Sequence, residues 1–289
     1  DAWLAPSSSL VNYTNGRISN LGARQDDCQR LFATPVVLAT QAKNSVFFSA
    51  AGQKFAWNEF FVARLGSDNK NAIVGVSLVH ALPPSSVSGL GSLIQLAYLS
   101  AYNKQTTLDL DTLKAAQTVS KLNDYEKLAS DYSISEGYLL SLVANPRSNR
   151  VVFAITTEQQ LVMYNRNRPQ GEPALIALYP AEGSYWEDYN LCISRADWVT
   201  PAHRAAFKVW SEFLNSRKAQ IAARRAGFRP SQTFGEELSP LIPEFGADTS
   251  LPSQSFHPVS GDVVGHLLEK WPSIMRPAAF LVALDTSGS

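Results

Sequence analysis

Short apolar runs alternate along this chain with segments whose apolar residues recur at helical spacing. Pro35-Val36-Val37-Leu38-Ala39, Ala72-Ile73-Val74-Gly75-Val76, Val151-Val152-Phe153-Ala154-Ile155 and the stretch 174–179 have the length and continuity of strands buried on both faces. Between them, 57–65 has amphipathic helical spacing, and 89–102 places Leu90, Leu93, Ile94, Ala97 and Tyr98 on one helical stripe. A further helix is predicted over 108–125, with aspartates in its first turn where the macrodipole favours them. Shorter helices are predicted over 135–143 and 157–165. The stretch 201–226 predicts one long helix, opened by proline in its first turn and stopped at Gly227. This alternation predicts an α/β fold with largely parallel sheets. From Arg229 the texture changes. Pro230, Pro240, Pro243, Pro252 and Pro258 punctuate a polar stretch that reads as an extended linker or a strap over the body, before a short helix at 262–271.

The composition is that of a globular chain: of 289 residues, 45% are hydrophobic and 17% charged. The 25 Lys and Arg balance the 25 Asp and Glu, which argues against a nucleic-acid footprint or a polybasic membrane patch. No apolar stretch reaches transmembrane length. The sequence opens on Asp1-Ala2-Trp3, as though already inside a fold, and both ends are read as cuts in a longer protein. Cys28 and Cys192 lack metal-ligand spacing. They are either buried thiols or one long-range disulfide, which would imply an oxidising, extracytoplasmic compartment. His80, His203, His257 and His266 show no i, i+4 pairing, so no histidine metal site or triad is indicated. No nucleophile elbow is present either, and the chain is not expected to be an enzyme.

Candidate chemistry gathers where strands give way to helices. Leu82-Pro83-Pro84-Ser85-Ser86-Val87-Ser88-Gly89-Leu90 is rich in hydroxyls at a predicted helix start. There, unpaired N–H groups and a partial positive charge welcome an oxyanion or small polar ligand. The bland alternative is that Ser86 or Ser88 caps the helix. Ser7-Ser8-Ser9 is a second hydroxyl cluster. Thr156-Thr157-Glu158 and Tyr179-Pro180-Ala181-Glu182-Gly183-Ser184 each follow a strand. Polar tips at several strand ends predict a cleft at the carboxyl edge of the sheet.

The order of these pieces resembles the later three-quarters of a type II periplasmic (extracellular) solute-binding protein, within the sulfate, molybdate and iron-binding branch. The resemblance is carried by Asp1-Ala2-Trp3-Leu4-Ala5-Pro6-Ser7-Ser8-Ser9, Thr34-Pro35-Val36-Val37-Leu38-Ala39 and Pro84-Ser85-Ser86-Val87-Ser88-Gly89-Leu90. It continues through Thr157-Glu158-Gln159, Tyr164-Asn165, Leu178-Tyr179-Pro180-Ala181-Glu182-Gly183 and Gly227-Phe228-Arg229-Pro230. It implies a two-lobed α/β fold with hinge crossings: lobe I from 1–40 and 175–229, lobe II from 41–174, and a linker or strap at 230–276. It implies that the family's first strand, helix and second strand would precede Asp1. Cys28 and Cys192 would share a lobe. The residues it brings to the cleft are Ser7, Ser8, Ser86, Ser88, Glu158 and Tyr185, although a carboxylate at Glu158 would repel a simple anion.

The last residues, Phe280-Leu281-Val282-Ala283-Leu284 followed by Asp285-Thr286-Ser287-Gly288-Ser289, resemble the first strand of a von Willebrand factor A domain. The resemblance makes 277–289 the start of such a domain and Asp285, Ser287 and Ser289 part of its Mg²⁺ (or similar divalent cation) site. One carboxylate and two hydroxyls are too few to hold that ion, so no cofactor is expected in this chain. Two functions follow as expectations. The first is an extracytoplasmic module that captures a small polar ligand or oxyanion by lobe closure, joined to a metal-dependent protein-interaction domain. The second is a cell-surface adhesion or scaffold protein whose solute-binding fold no longer transports; on either, anchoring to a membrane by another part is expected.

Overall fold

The computed structural model describes residues 2–18, 27–47, 55–57, 75–101, 106–147, 150–232 and 240–276. Eight strands join in one mixed sheet. They are β1 (Ala2–Ala5), β2 (Cys28–Gln41), β3 (Val76–Ala81), β4 (Ala129–Ser133), β5 (Val151–Thr157), β6 (Leu175–Leu178), β7 (Trp186–Ile193) and β8 (Arg229–Pro230).

The 14-residue β2 organises the molecule. Its first half, through Pro35, pairs with β7 and β8; from Val36 it pairs with β5 and β6. One strand thus passes from a β1–β7 ladder into a β5–β3–β4 ladder, giving an α/β fold of two lobes joined at 34–36. Proline at the changeover is tolerated because it has no N–H to offer a ladder that is ending there. The expectation of largely parallel sheets is corrected. Only β3 runs parallel to its neighbours β4 and β5, while every pairing of β2 is antiparallel.

Nine α-helices cover the sheet among the described residues: α1 (Ser8–Arg17), α2 (Val87–Ser100), α3 (Leu110–Lys114), α4 (Ala116–Glu126), α5 (Glu136–Ala144), α6 (Glu158–Asn167), α7 (Pro201–Leu214), α8 (Arg217–Arg225) and α9 (Gly261–Ile274). Two predicted helices are broken. The 108–125 segment splits at Ala115, whose ψ of 133° leaves the helical region. The 201–226 segment splits at Asn215 and Ser216. There the Ser216 hydroxyl caps α8 by accepting the Ala219 N–H, a local bond that competes with helix continuation. Most of the predicted 72–76 strand and of the 57–65 helix lies outside the described residues, and β3 covers Val76–Ala81.

α2 is the central helix, with Ser88 to Ser100 all buried. It lies so close to the end of β3 that a Cβ on Gly89 would stand 2.6 Å from the Leu82 carbonyl carbon. Two of its buried polar side chains tie it to the strands and loops around it. Gln95 donates to Gly183 O and accepts from Tyr185 N–H at 2.6 Å, and Ser92 donates to Ser88 O and Ile155 O.

Cys28 and Cys192 face each other across the β2–β7 ladder, Cα atoms 4.0 Å apart, and are bridged, which settles the alternative left open above. The described part of the polar stretch after Arg229, from 240 on, is packed on the body as a strap. Val259 and Asn12 hold it to α1: Val259 N–H donates to Ser9 Oγ, and Asn12 Nδ2 to Val259 O. Phe256 stacks on Tyr98 of α2 with centroids 4.3 Å apart. α9 then buries Val263, Val264, Leu267 and Trp271. Trp271 meets the rings of His80 and Tyr132 edge-on, so the strap touches both lobes.

Candidate ligand-binding site

The site is built where β2 changes ladders. On one side, Thr34 and Pro35 lie opposite Glu187 and Trp186; on the other, Val36 and Val37 lie opposite Thr157 and Thr156. Four helices begin around this seam, each with a hydroxyl N-cap: Ser7 for α1, Ser86 for α2, Ser135 for α5 and Thr157 for α6. Small hydroxyl residues are selected there because the side-chain oxygen accepts one of the first N–H groups of the helix.

The protein's own carboxylates fill the positions facing these helix starts. Asp188 accepts the Ser8 N–H at 2.8 Å and also the Ser8 hydroxyl, while Asn190 donates to that hydroxyl from the same strand. Glu136, the first residue of α5, accepts from Ser88 Oγ through one oxygen and from Thr156 Oγ1, 2.9 Å away, through the other. Burial raises its pKa, against the hydrogen bonds from Ser88 and Thr156. Glu187 lies between them, only 2% exposed. Burial, then the nearby charge of Glu136, pushes its pKa up to about 8. Its Oε1 is buried without a hydrogen-bond partner, and Oε2 has the Tyr189 hydroxyl at 3.5 Å.

The residues expected from sequence are distributed as follows. Ser7 accepts the Leu10 N–H as the α1 cap, and Ser8 is bound to Asp188. Ser86 caps α2, as the capping alternative has it, and its oxygen lies 2.8 Å from that of Ser88. Ser88 and Thr156 meet on Glu136, which brings the ends of β3 and β5 together. Glu158 is engaged elsewhere. Arg229 Nε donates to it at 2.8 Å, the Tyr179 hydroxyl donates to its other oxygen, and the residue is fully buried. Tyr185 is buried too, its hydroxyl donating to Ser9 and its N–H to Gln95. Both residues brace the seam. Asp285, Ser287 and Ser289 lie outside the described residues.

Sequence reading missed Glu136, Glu187 and Asp188. Two acidic residues inside Trp186-Glu187-Asp188-Tyr189, within a strand, were the available signal, because Glu and Asp are depleted from strands without a specific partner.

The sequence matches no family model and no curated protein. Solved structures resemble the fold. The periplasmic binding protein AfuA of Actinobacillus pleuropneumoniae, with fructose-6-phosphate bound, superimposes with a TM-score of 0.61 at 16% identity, covering 96% of this chain and 83% of that one. The apo ferric ion-binding protein A of Pasteurella haemolytica gives 0.59 at 14%, with coverage of 95% and 80%. The ferric binding protein of Campylobacter jejuni gives 0.56 at 13%, with 94% and 77%. At these identities the likeness is one of architecture, and it agrees with the strand crossing and the two ladders: the chain has the two-lobed α/β fold of periplasmic binding proteins.

Proposed function

We propose that this chain is an extracytoplasmic solute-binding module that closes its two lobes on a small polar ligand and performs no catalysis. The observation that carries this reading is the gathering of four capped helix starts with the buried carboxylate of Glu187 and the half-buried carboxylates of Glu136 and Asp188 at the seam where β2 passes between ladders. Closure there is a hinge motion about 34–36, driven by the ligand's preference for the closed form. The lobes divide at this ladder change, so that 36–40 and β6, expected with the 1–40 and 175–229 lobe, go with 41–174, and 230–276 is the strap. The Cys28–Cys192 bridge supports an oxidising compartment. The fold likeness to periplasmic binding proteins supports the same reading. The von Willebrand factor A fusion, with its divalent cation, stays part of the proposal on the terminal motif alone.

Native mass spectrometry of the protein purified from its host without denaturation tests this. A retained small molecule, whose removal lowers the melting temperature, is expected. An empty protein in every preparation, with a melting temperature unmoved by any polar metabolite, would overturn it.

The adhesion or scaffold reading draws on a different observation. α7 exposes Val209, Trp210 and Phe213, the last two stacked at 5.4 Å, a face of the kind that meets another protein. It expects Trp210→Ser with Phe213→Ser to reduce surface attachment while leaving solute binding unchanged. Attachment unchanged by the pair would remove its support.

A further inference from the structure

We infer that the crevice takes an organic ammonium cation, held by Glu187 beside the half-buried rings of Tyr189, Phe32 and Phe228. This rests on the solute-binding reading and names its ligand class.

Four observations carry it. First, the places an oxyanion would use are filled by the chain itself. Asp188 covers the first turn of α1, and Glu136 takes the hydroxyls of Ser88 and Thr156. An arriving anion would meet three carboxylates at close quarters. The Arg229 guanidinium, braced against the Trp186 ring at 5.2 Å, is bound to Glu158.

Second, one oxygen is left wanting a donor. Glu187 Oε1 is buried and unpartnered, and a buried acceptor without a hydrogen bond is costly. An ammonium N–H supplies that donor together with the opposite charge.

Third, α2 packs closely on this carboxylate and fixes where Oε1 stands. Gly91 faces it, and a Cβ at that position would stand 2.9 Å from Oε1.

Fourth, the surroundings suit an organic cation better than a metal ion. Tyr189 reaches Glu187 through its hydroxyl, and its ring belongs to a cluster with Phe32 (5.1 Å) and Phe228 (5.1 Å), faces of the kind that attract ammonium groups. A hard metal needs several free oxygens. Both oxygens of Glu136 and of Asp188 already accept hydrogen bonds, and among the described residues no three His, Cys, Asp or Glu are placed to hold a metal.

Cation binding is coupled to proton release. Glu187 faces Glu136 from α5 and Asp188 and Tyr189 from its own strand, while α2 and β2 present Gly91 and Val36. With the Glu187 pKa near 8, much of this residue is protonated at neutral pH. A bound cation favours the carboxylate, so affinity rises as pH rises toward 8.

The test is isothermal titration calorimetry and thermal unfolding of the chain with 1,4-diaminobutane, tetramethylammonium and guanidinium. Phosphate, sulfate, Mg²⁺ and Fe³⁺ are run in parallel, at pH 6 and pH 8 in buffers of different ionisation enthalpy. At least one organic cation is expected to bind, more tightly at pH 8, with protons released. Glu187→Gln is expected to weaken it about tenfold or more while the circular dichroism spectrum is kept. Gly91→Ala is expected to do the same by displacing the carboxylate, since its Cβ would stand 2.9 Å from Oε1. Binding of phosphate, sulfate or a metal ion without any organic cation would overturn the ammonium assignment and leave the solute-binding reading standing. So would organic-cation binding that Glu187→Gln does not change. Failure of every compound to bind would remove the assignment together with the reading beneath it.

Discussion

At the scale of single residues, Glu187 controls how stability depends on pH. Its folded pKa, about 8, lies above the ordinary 4.5. Between those values the folded state holds a proton that the unfolded state gives up, so folding is progressively disfavoured as pH rises from 4.5 to 8 and level above it. Urea unfolding at a series of pH values is expected to show that fall, on the order of a few kcal/mol, and Glu187→Gln to flatten it. His80 acts in the same sense. Burial alone would lower its pKa, but the buried Glu126 carboxylate, 3.2 Å from Nε2, outweighs burial and raises it. Its contribution is complete below pH 6.5 and fades as pH passes its raised pKa. Glu126→Gln is expected to cost about 1–3 kcal/mol at pH 6, measured by the same unfolding curves, because the ion pair is lost and burial then drives the imidazole neutral. The serines at the helix starts were legible in the sequence because N-capping is a local bond, spanning three residues. The partners of Glu158 were not. Arg229 lies 71 positions away, and nothing near Glu158 in the chain announces it.

At the scale of elements, two glycines in helices separate close approach from simple weakness. Gly89→Ala would push a Cβ to 2.6 Å from the Leu82 backbone, and is expected to destabilise the fold by about 2 kcal/mol or more. Gly137 in α5 has open space around its would-be Cβ. Gly137→Ala is therefore expected to stabilise by about 0.5–1 kcal/mol, the usual gain in helix propensity. Paired thermal melts of the two variants check both. The strands read as continuous apolar runs were found because they are buried on both faces. β1, β4 and β7 escaped the reading: β1 is four residues long with two of them exposed, β4 and β7 carry polar residues, and their strand character comes from partners distant in sequence. The helix breaks at Ala115 and Ser216 were equally hidden, since neither carries the Gly or Pro that announces an end.

At the scale of the whole molecule, the order of hydroxyl-rich junctions carried the two-lobed architecture, but not the sense of the strands. Antiparallel pairing of β2 depends on the route of connections that an apolar run does not encode. The disulfide joins positions 164 apart, and closing so long a loop restricts the unfolded chain. Replacing both Cys28 and Cys192 by Ser is expected to cost roughly 2–5 kcal/mol, read as a lower urea midpoint with a steeper slope, because the unbridged unfolded chain exposes more surface.

The C-terminal strap has a consequence for how the lobes move. Ser9 and Asn12 grip it on one lobe, and Tyr98, His80 and Tyr132 grip it on the other. Swinging the halves apart must therefore either carry this band along as a flexing tether or peel one of its two attachments. Whatever pulls on the chain beyond α9 is then mechanically geared to the aperture of the crevice.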